Sequence, residues 1–356
     1  MKPSKNLSSL LELEAYTSKT KKRDALFFQE MKYLVDLHRE SSESYKKLCD
    51  EIFRNAQFED ISNIPFLPVG IFKNSTLLSI KSVNLTKKVS SSGTSNQKKS
   101  EIIIDRETSM LQRQILSKQL RSILGPTRFP LVVFDKESMN VARNEFSART
   151  AGIRGFSLVA SEIFFAINED NSMKDKELRE FLRKNKRVIL FGFTWKIWEA
   201  LEVLEATGKS IDFPLDSVLV HGGGWKKLEN LKISKQEFSS KVNRHIPECR
   251  VINYYGMVEQ AGSIYFECKL GFLHSSSYAD VIVRDSTSFN VAPLGQLGLI
   301  QVMSLAARSY PGHSLLTEDL GTLFGRDNCN CGLSGAYFHV FGRVKNVELR
   351  GCSDAI

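Results

Sequence analysis

The chain has 356 residues, 42% hydrophobic and 25% charged, with a formal net charge of +9. That balance fits a soluble protein of two or three structural units and excludes a low-complexity or disordered chain. No apolar run approaches the ~18–20 residues of a membrane span, and the opening "MKPSKNLSSLLELEAYTSKTKKRD" lacks the apolar core of a signal peptide. A cytoplasmic protein without integral membrane association is therefore expected. Its basic residues are spread along the chain, densest at "KTKKRD" (19–24), which reads as solvated surface. An anionic small ligand accounts for such a balance as well as nucleic acid does, and no nucleic-acid partner is expected. Six cysteines without a secretory signal read as thiols rather than a disulfide framework.

Residues 1–60 read as helical. Leu26, Phe27, Met31, Leu34, Val35 and Leu37 roughly follow a helical period. "IPFLPVGIF" (64–72) carries two prolines and is a joint, not a helix. "EIIID" (101–105) reads as a strand, with Asp105 capping a helix over "RETSMLQRQILSKQLRSIL" that "GP" ends. Buried strands are expected at "PLVVFD", "RVILFGF", "SVLVHGGG" and "RVINYYG", with helices at "DKELREFLRKN", "WKIWEALEVLEATG" and "SKQEFSSKVNRHI". This alternation means α/β architecture with a mainly parallel sheet packed by helices. "FSARTAGIRGFS" (146–157) reads as an arginine-rich turn that touches substrate or partner. After about residue 262 helices fade, and "FLHSSSYADVIVRD" and "GQLGLIQVMSL" indicate a smaller β-rich unit.

The most informative stretch is "VSSSGTSNQKKSEIIID" (89–105). Gly93, Lys98, Lys99 and Ser100 approximate a Walker A loop, but Lys98 stands at the second glycine and the loop feeds a strand rather than a helix. A hydroxyl-rich loop between strands suits the phosphate loop of an adenylating enzyme better. Ser91, Ser92, Gly93, Thr94 and Ser95, with Lys99, would then wrap a triphosphate. A plain polar surface loop is the competing reading.

Four later stretches add weight. "VHGGGWKK" places Gly222, Gly223 and Gly224 at a strand end, where a flat ring or backbone can approach closely. "NYYGMVEQ" offers the Tyr255–Gly256 pair for stacking and Glu259 for a cation. "LLTEDLG" supplies Asp319 for ribose hydroxyls, and "FGRVKNVELRG" supplies Arg343 for a phosphate. Each alone is commonly a turn or a core segment; their order is what is specific.

In that order the chain resembles the adenylate-forming superfamily of acyl-CoA synthetases and firefly luciferase. It is closer still to the acyl-protein synthetases of bacterial bioluminescence, the LuxE family, in "IPFLPVGIFK", "SSGTS", "HGGGWKKLE", "YGMVEQ" and "ELRGC". The resemblance implies the large N-terminal domain of an adenylate-forming enzyme, with the small C-terminal domain truncated. Units are then expected at 1–70 (helical lead), 71–262 (adenylate-binding core), 263–345 (β-rich subdomain) and 346–356 (truncated hinge and tail). It also implies ATP and Mg²⁺ as cofactors and activation of a fatty acid as acyl-AMP. Transfer to Cys352 as a thioester and delivery to an acyl-CoA-type reductase partner would follow. By the same resemblance Glu259 holds Mg²⁺, Arg343 and Lys99 meet phosphate charge, and Asp319 grips the ribose. Gly222–Gly224 and Tyr255 would sandwich the adenine. Phe191, Phe193 and Trp195, ahead of the glycine turn, are candidates for the acyl tunnel or plain core.

The chain departs from the superfamily at Asn96, Lys98, Met257, Val258, Glu318 and Asn346. It also stops after the hinge motif, so conventional CoA ligation is in doubt. An acyl-CoA or acyl-carrier-protein ligase and a non-catalytic nucleotide-binding scaffold remain as alternatives.

Separately, Cys268, His274, Cys329 and Cys331 match the ligand set of a closed tetrahedral Zn²⁺ site. Only the fold could bring the two halves together, and C-x-C is tighter than the usual C-x2-C spacing. Some adenylating enzymes similar to phenylacetate-CoA ligase carry a comparable pattern.

Overall fold

The computed structural model describes residues 4–16, 21–53, 58–80, 85–91, 99–141, 146–223 and 233–344. Three N-terminal helices, α1 (Lys5–Glu12), α2 (Lys21–Ser41) and α3 (Glu43–Ile52), come first. Ser4 and Ser42 start α1 and α3 by accepting the backbone N–H groups of Leu7 and Tyr45. Phe27, Met31, Leu34 and Val35 line the buried side of α2 at the period read from the sequence. Glu30 on this helix, fully buried, accepts from Arg308 over 2.7 Å and ties the helices to the sheet.

The joint follows as β1 (Leu67–Pro68) and α4 (Ile71–Asn74), then the hairpin β2 (Leu85–Ser90) and β3 (Glu101–Asp105). Asp105 accepts from Thr108 N–H and caps α5 (Arg106–Leu124), as its position beside the strand predicts. The alternating part comprises β4 (Phe129–Lys136), α6 (Ser138–Val141), β5 (Phe146–Ser147), α7 (Ala148–Ser157), β6 (Ala160–Ile167), α8 (Asp175–Arg183), β7 (Ile189–Phe193), α9 (Thr194–Thr207), β8 (Val218–Gly222), α10 (Lys235–His245) and β9 (Arg250–Tyr255). Six antiparallel strands close the series: β10 (Tyr265–Glu267), β11 (Leu273–His274), β12 (Ala279–Arg284), β13 (Leu297–Ser304), β14 (Ser314–Arg326) and β15 (Ala336–Arg343).

The expected α/β architecture is present, built on one large mixed sheet. Its order is β12-β13-β14-β15-β11-β10-β9-β8-β7-β4-β6, with β1 parallel to β14. β6, β4, β7, β8 and β9 run parallel, and β10 reverses the direction beside β9. The strands after residue 262 thus continue the same sheet. β3, β2 and β5 form a second, three-stranded sheet.

The segment 146–157 differs from expectation. It is β5 followed by α7, a helix capped by Ser147, which accepts from Thr150 N–H. β6, absent from the sequence reading, forms the edge of the sheet. Apolar side chains pack on both faces of the parallel strands. Phe191, Val220 and Ile252 sit under α7, and Leu190 and Leu219 sit under α8–α10.

Candidate active site

Ligands of open α/β sheets bind beyond the carboxyl ends of parallel strands, where the strand pattern changes. Here those ends are Phe193, Gly222 and Tyr255, beside the antiparallel turn-back at β10. Phe193 pairs with Gly222, and Gly222 with Tyr254, so Phe193, Gly222 and Tyr254 form one row across β7, β8 and β9, with Tyr255 one residue beyond it. The centre of the row has no side chain. A Cβ on Gly222 would lie 2.6 Å from the Tyr254 ring, and one on Gly223 would lie 2.4 Å from Phe193. Gly223 also has φ +81°, which a larger residue adopts only with strain. The glycine motif therefore lets two aromatic rings close onto the backbone. Gly224 lies outside the described residues.

Of the expected acyl-tunnel residues, Phe191 is fully buried and stacks on Phe156 at 4.1 Å, with Phe193 6.4 Å away. Trp195 lies on α9 instead. Lys196 is over its ring at 4.5 Å and Arg149 at 5.8 Å, while Arg149 forms an ion pair with buried Asp135.

Tyr255 leaves β9 on the opposite side from Tyr254. Its hydroxyl donates to Asp319 over 2.6 Å, and burial, then the adjoining carboxylate, holds its pKa well above the usual phenol range. Asp319 pairs with Arg343 across β14 and β15, the guanidinium Nε lying 3.7 Å from the carboxylate. Thr317 fixes the turn of strand here, accepting from Asp319 N–H and donating to Ile300 O. Glu318 faces Lys73 at 3.0 Å and Arg343 at 3.9 Å. Lys73 escaped the sequence reading because no spacing links residues so distant along the chain. Glu318 registered only as a replaced glycine.

Glu259 lies in a 3-10 turn, Val258–Gln260, just past Gly256. Tyr310 donates to the Glu259 carbonyl, and Gln260 donates to Val302 O and Gly312 O, so the turn is pinned from three sides. The Glu259 side chain is 6% exposed and forms no ion pair among the described residues. A buried carboxylate in that setting is suited to a cation. β3 packs against this turn. At the far end of the hairpin Ser91 N–H donates to Ser100 O, and Ser100 N–H donates to the Ser91 hydroxyl. The loop's flanks are antiparallel strands, as the non-Walker reading requires. Lys99 is exposed beside them. Ser92, Gly93, Thr94, Ser95 and the tail with Cys352 lie outside the described residues.

Cys268, His274, Cys329 and Cys331 come together, their ligand atoms all within 4.8 Å of one another. A tetrahedral zinc with ~2.3 Å bonds to sulfur spaces its ligands ~3.8 Å apart, so the set needs little movement to close. Pairing of His274 with Tyr337 across β11 and β15 brings the two halves into contact. His274 Nδ1 donates to Ser334 O over 3.2 Å, which leaves Nε2 free to ligate, 3.4 Å from Cys331 Sγ. Burial, partly offset by the N–H of Leu333, pushes the Cys331 thiol up to about 12. A soft dication would reverse that by binding the thiolate.

A family model described as "Acyl-protein synthetase, LuxE" matches residues 8–356. A long-chain-fatty-acid–luciferin-component ligase from Vibrio harveyi is 24% identical over 332 residues, covering 89% of this chain and 83% of the relative. Among solved structures, 2-hydroxyisobutyryl-CoA ligase in an open conformation with 2-HIB-AMP and CoA aligns with a TM-score of 0.68 at 16% identity. That alignment covers 95% of this chain and 78% of the ligase. The same ligase in its thioesterification state gives 0.70 at 15% identity, over 93% and 70% of the two chains. At such identities the likeness establishes the fold, that of adenylate-forming ligases.

Proposed function

The chain belongs to the acyl-protein synthetase family, LuxE, and is a ligase by that membership; on this premise we propose that it activates a long-chain fatty acid as acyl-AMP and hands the acyl group to a thiol. In the first step a carboxylate oxygen attacks the α-phosphorus of ATP, the α–β bridging bond breaks, and pyrophosphate leaves. In the second a thiolate adds to the acyl carbonyl carbon and AMP departs. Neither step requires phosphate to bond covalently to the protein, so positioning and charge complementarity do most of the catalysis.

The observation that carries this reading is the Tyr255–Asp319–Arg343 line, which joins the end of β9 through β14 to the end of β15. Asp319 would accept the ribose hydroxyls while Tyr255 holds its carboxylate in place. Arg343 would leave Asp319 and Glu318 for the developing phosphate charge. Glu259 would hold Mg²⁺, which supplies charge neutralisation at the phosphates. Ser91–Ser95 and Lys99 would wrap the β- and γ-phosphates. Cys352, in its "ELRGC" context, is the proposed thioester acceptor, with an acyl-reductase partner receiving the group. Cys268, His274, Cys329 and Cys331 would hold a structural zinc that clamps β10–β11 to the β14–β15 connection.

Fatty-acid-dependent exchange of labelled pyrophosphate into ATP tests the reading. Exchange that needs protein, fatty acid and Mg²⁺ together supports it. Folded protein that exchanges with no carboxylic acid of about 8–18 carbons overturns it.

A further inference from the structure

Tyr254 and Tyr255 are neighbours on a strand, so their side chains leave opposite faces. Tyr255 enters the core with Tyr265 and Phe338, on the side of Asp319. Tyr254 enters the other core, with Phe156 at 5.6 Å and Phe191 and Phe266 at 6.4 Å. The tyrosine pair thus separates a nucleotide side from an apolar side.

On the apolar side the Tyr254 hydroxyl is available. It makes no hydrogen bond among the described residues, and its ring is only partly buried, so a ligand can reach it and accept from it. It points at α7 where that helix has a glycine: a Cβ on Gly152 would lie 3.6 Å from the hydroxyl and 3.3 Å from Phe191. Burial alone raises its pKa above the ordinary phenol value, so the group remains a proton donor. Its place in the row with Gly222 sets it where a substrate crosses from the nucleotide to the apolar core.

We infer that the Tyr254 hydroxyl is the hydrogen-bond donor that holds the carboxylate end of the fatty acid, with Gly152 leaving the room it needs. This rests on the adenylation reading above. A carboxylate has two oxygens, and only one attacks phosphorus. A neutral donor on the other fixes the angle of attack without quenching the nucleophile, as a guanidinium or ammonium group would. That second oxygen becomes the carbonyl oxygen of acyl-AMP. When the thiolate adds, it carries the negative charge of the tetrahedral intermediate, which collapses with expulsion of AMP. One hydroxyl therefore serves both steps, as an orienting contact in the first and an oxyanion donor in the second.

Tyr254→Phe removes only the oxygen, and Gly152→Ala sets a methyl group in van der Waals contact with it, in space beside the hydroxyl that the carboxylate would use. In pyrophosphate exchange each should raise the KM for fatty acid, Tyr254→Phe by roughly 10- to 100-fold, the range for one hydrogen bond to a charged group. The KM for ATP should stay within about twofold, because the Tyr255 side is untouched. Thermal midpoints near wild type confirm that both variants are folded. If both keep the wild-type KM for fatty acid while wild type exchanges normally, this inference is overturned and adenylation stands. If wild type shows no fatty-acid-dependent exchange, both fall together.

Discussion

The hydroxyl of Tyr255 lies 2.6 Å from a carboxylate oxygen of Asp319, joining β9 to β14 across 64 residues of chain. Burial keeps that hydroxyl protonated, so it donates to a carboxylate whose other oxygen faces Arg343 at 3.7 Å. Tyr255→Phe should leave Asp319 free to turn and raise the KM for ATP by about tenfold, at the lower end of the ~1.5–3 kcal/mol for a hydrogen bond to a charged group. Asp319→Asn should cost more, since an amide holds ribose hydroxyls less firmly than a carboxylate. ATP titration at saturating fatty acid measures both, and an unchanged KM in the pair removes Asp319 from the nucleotide site.

Glu259→Gln keeps the shape of the buried side chain and removes its charge. The pinned turn should survive, because its hydrogen bonds use the Glu259 carbonyl and the Gln260 amide. Exchange should fall by ~100-fold or more, on the order of the 2.7–4 kcal/mol lost with one transition-state donor. The Mg²⁺ concentration for half-maximal rate should rise as well. A variant with wild-type rate and Mg²⁺ dependence would mean that Glu259 holds no metal.

How far the sequence carried this far depends on burial. β4, β7 and β8 are legible as apolar runs because both faces are covered, whereas β6 carries Ser161 and Glu162 on an exposed stretch at the sheet edge and loses the pattern. α7 is obscured by Gly152 and Gly155, which lower helix propensity, although Ser147 caps it. The site motifs are legible because each is a short local string. What they touch is not: the split between Tyr254 and Tyr255 depends on strand register, and the meeting of Lys73 with Glu318 depends on the whole fold. The cysteine and histidine set lies between these cases. Its donor types are plain in the sequence, and only the β11–β15 register brings them together.

Protein purified without chelator should carry about one zinc per chain if that set binds as its donors suggest. Cys331→Ser should lower the zinc content severalfold and the thermal midpoint by several degrees, since a closed site contributes directly to folding. Elemental analysis and thermal denaturation of the same preparations give both numbers. Wild-type protein with zinc near zero, even after refolding with added metal, would discard the site.

His38 and His313 stack at 4.8 Å, both fully buried. His38 contacts the Ser79 hydroxyl and Ala307 O, and His313 lies 3.4 Å from the Tyr45 hydroxyl. Burial lowers both pKa values, His313 to about 3, and His313 and Arg308 lower that of His38 further. Among the described residues Arg308 forms its ion pair with Glu30. Both folded values lie below the unfolded value of ~6.5, so the unfolded chain takes up protons first as pH falls. Their stabilisation is complete above pH ~6.5 and declines below it by about 1.4 kcal/mol per unit for each ring. Between pH 7.5 and 5.0 the urea midpoint should drop, by an amount equivalent to roughly 2 kcal/mol per histidine. His313→Gln should lessen the drop, and a midpoint independent of pH over that range would contradict the buried, neutral pair.

Cys352 is the last test, and it decides where the acyl group goes. It follows Arg350 and Gly351 in the "ELRGC" string, nine residues beyond Arg343. An extended chain of nine residues spans up to ~30 Å, ample to carry a thiol back to acyl-AMP at the strand ends. A neighbouring guanidinium favours the thiolate, the nucleophilic form. Cys352→Ser should therefore keep fatty-acid-dependent pyrophosphate exchange within about twofold, since adenylation precedes the thiol. It should lose the hydroxylamine-sensitive label left by radioactive fatty acid and ATP, because an oxygen ester, if formed at all, resists neutral hydroxylamine. Retained exchange without label identifies Cys352 as the acceptor. Label equal to wild type would exclude it, and discharge of acyl-AMP by added CoA would then identify a CoA ligase.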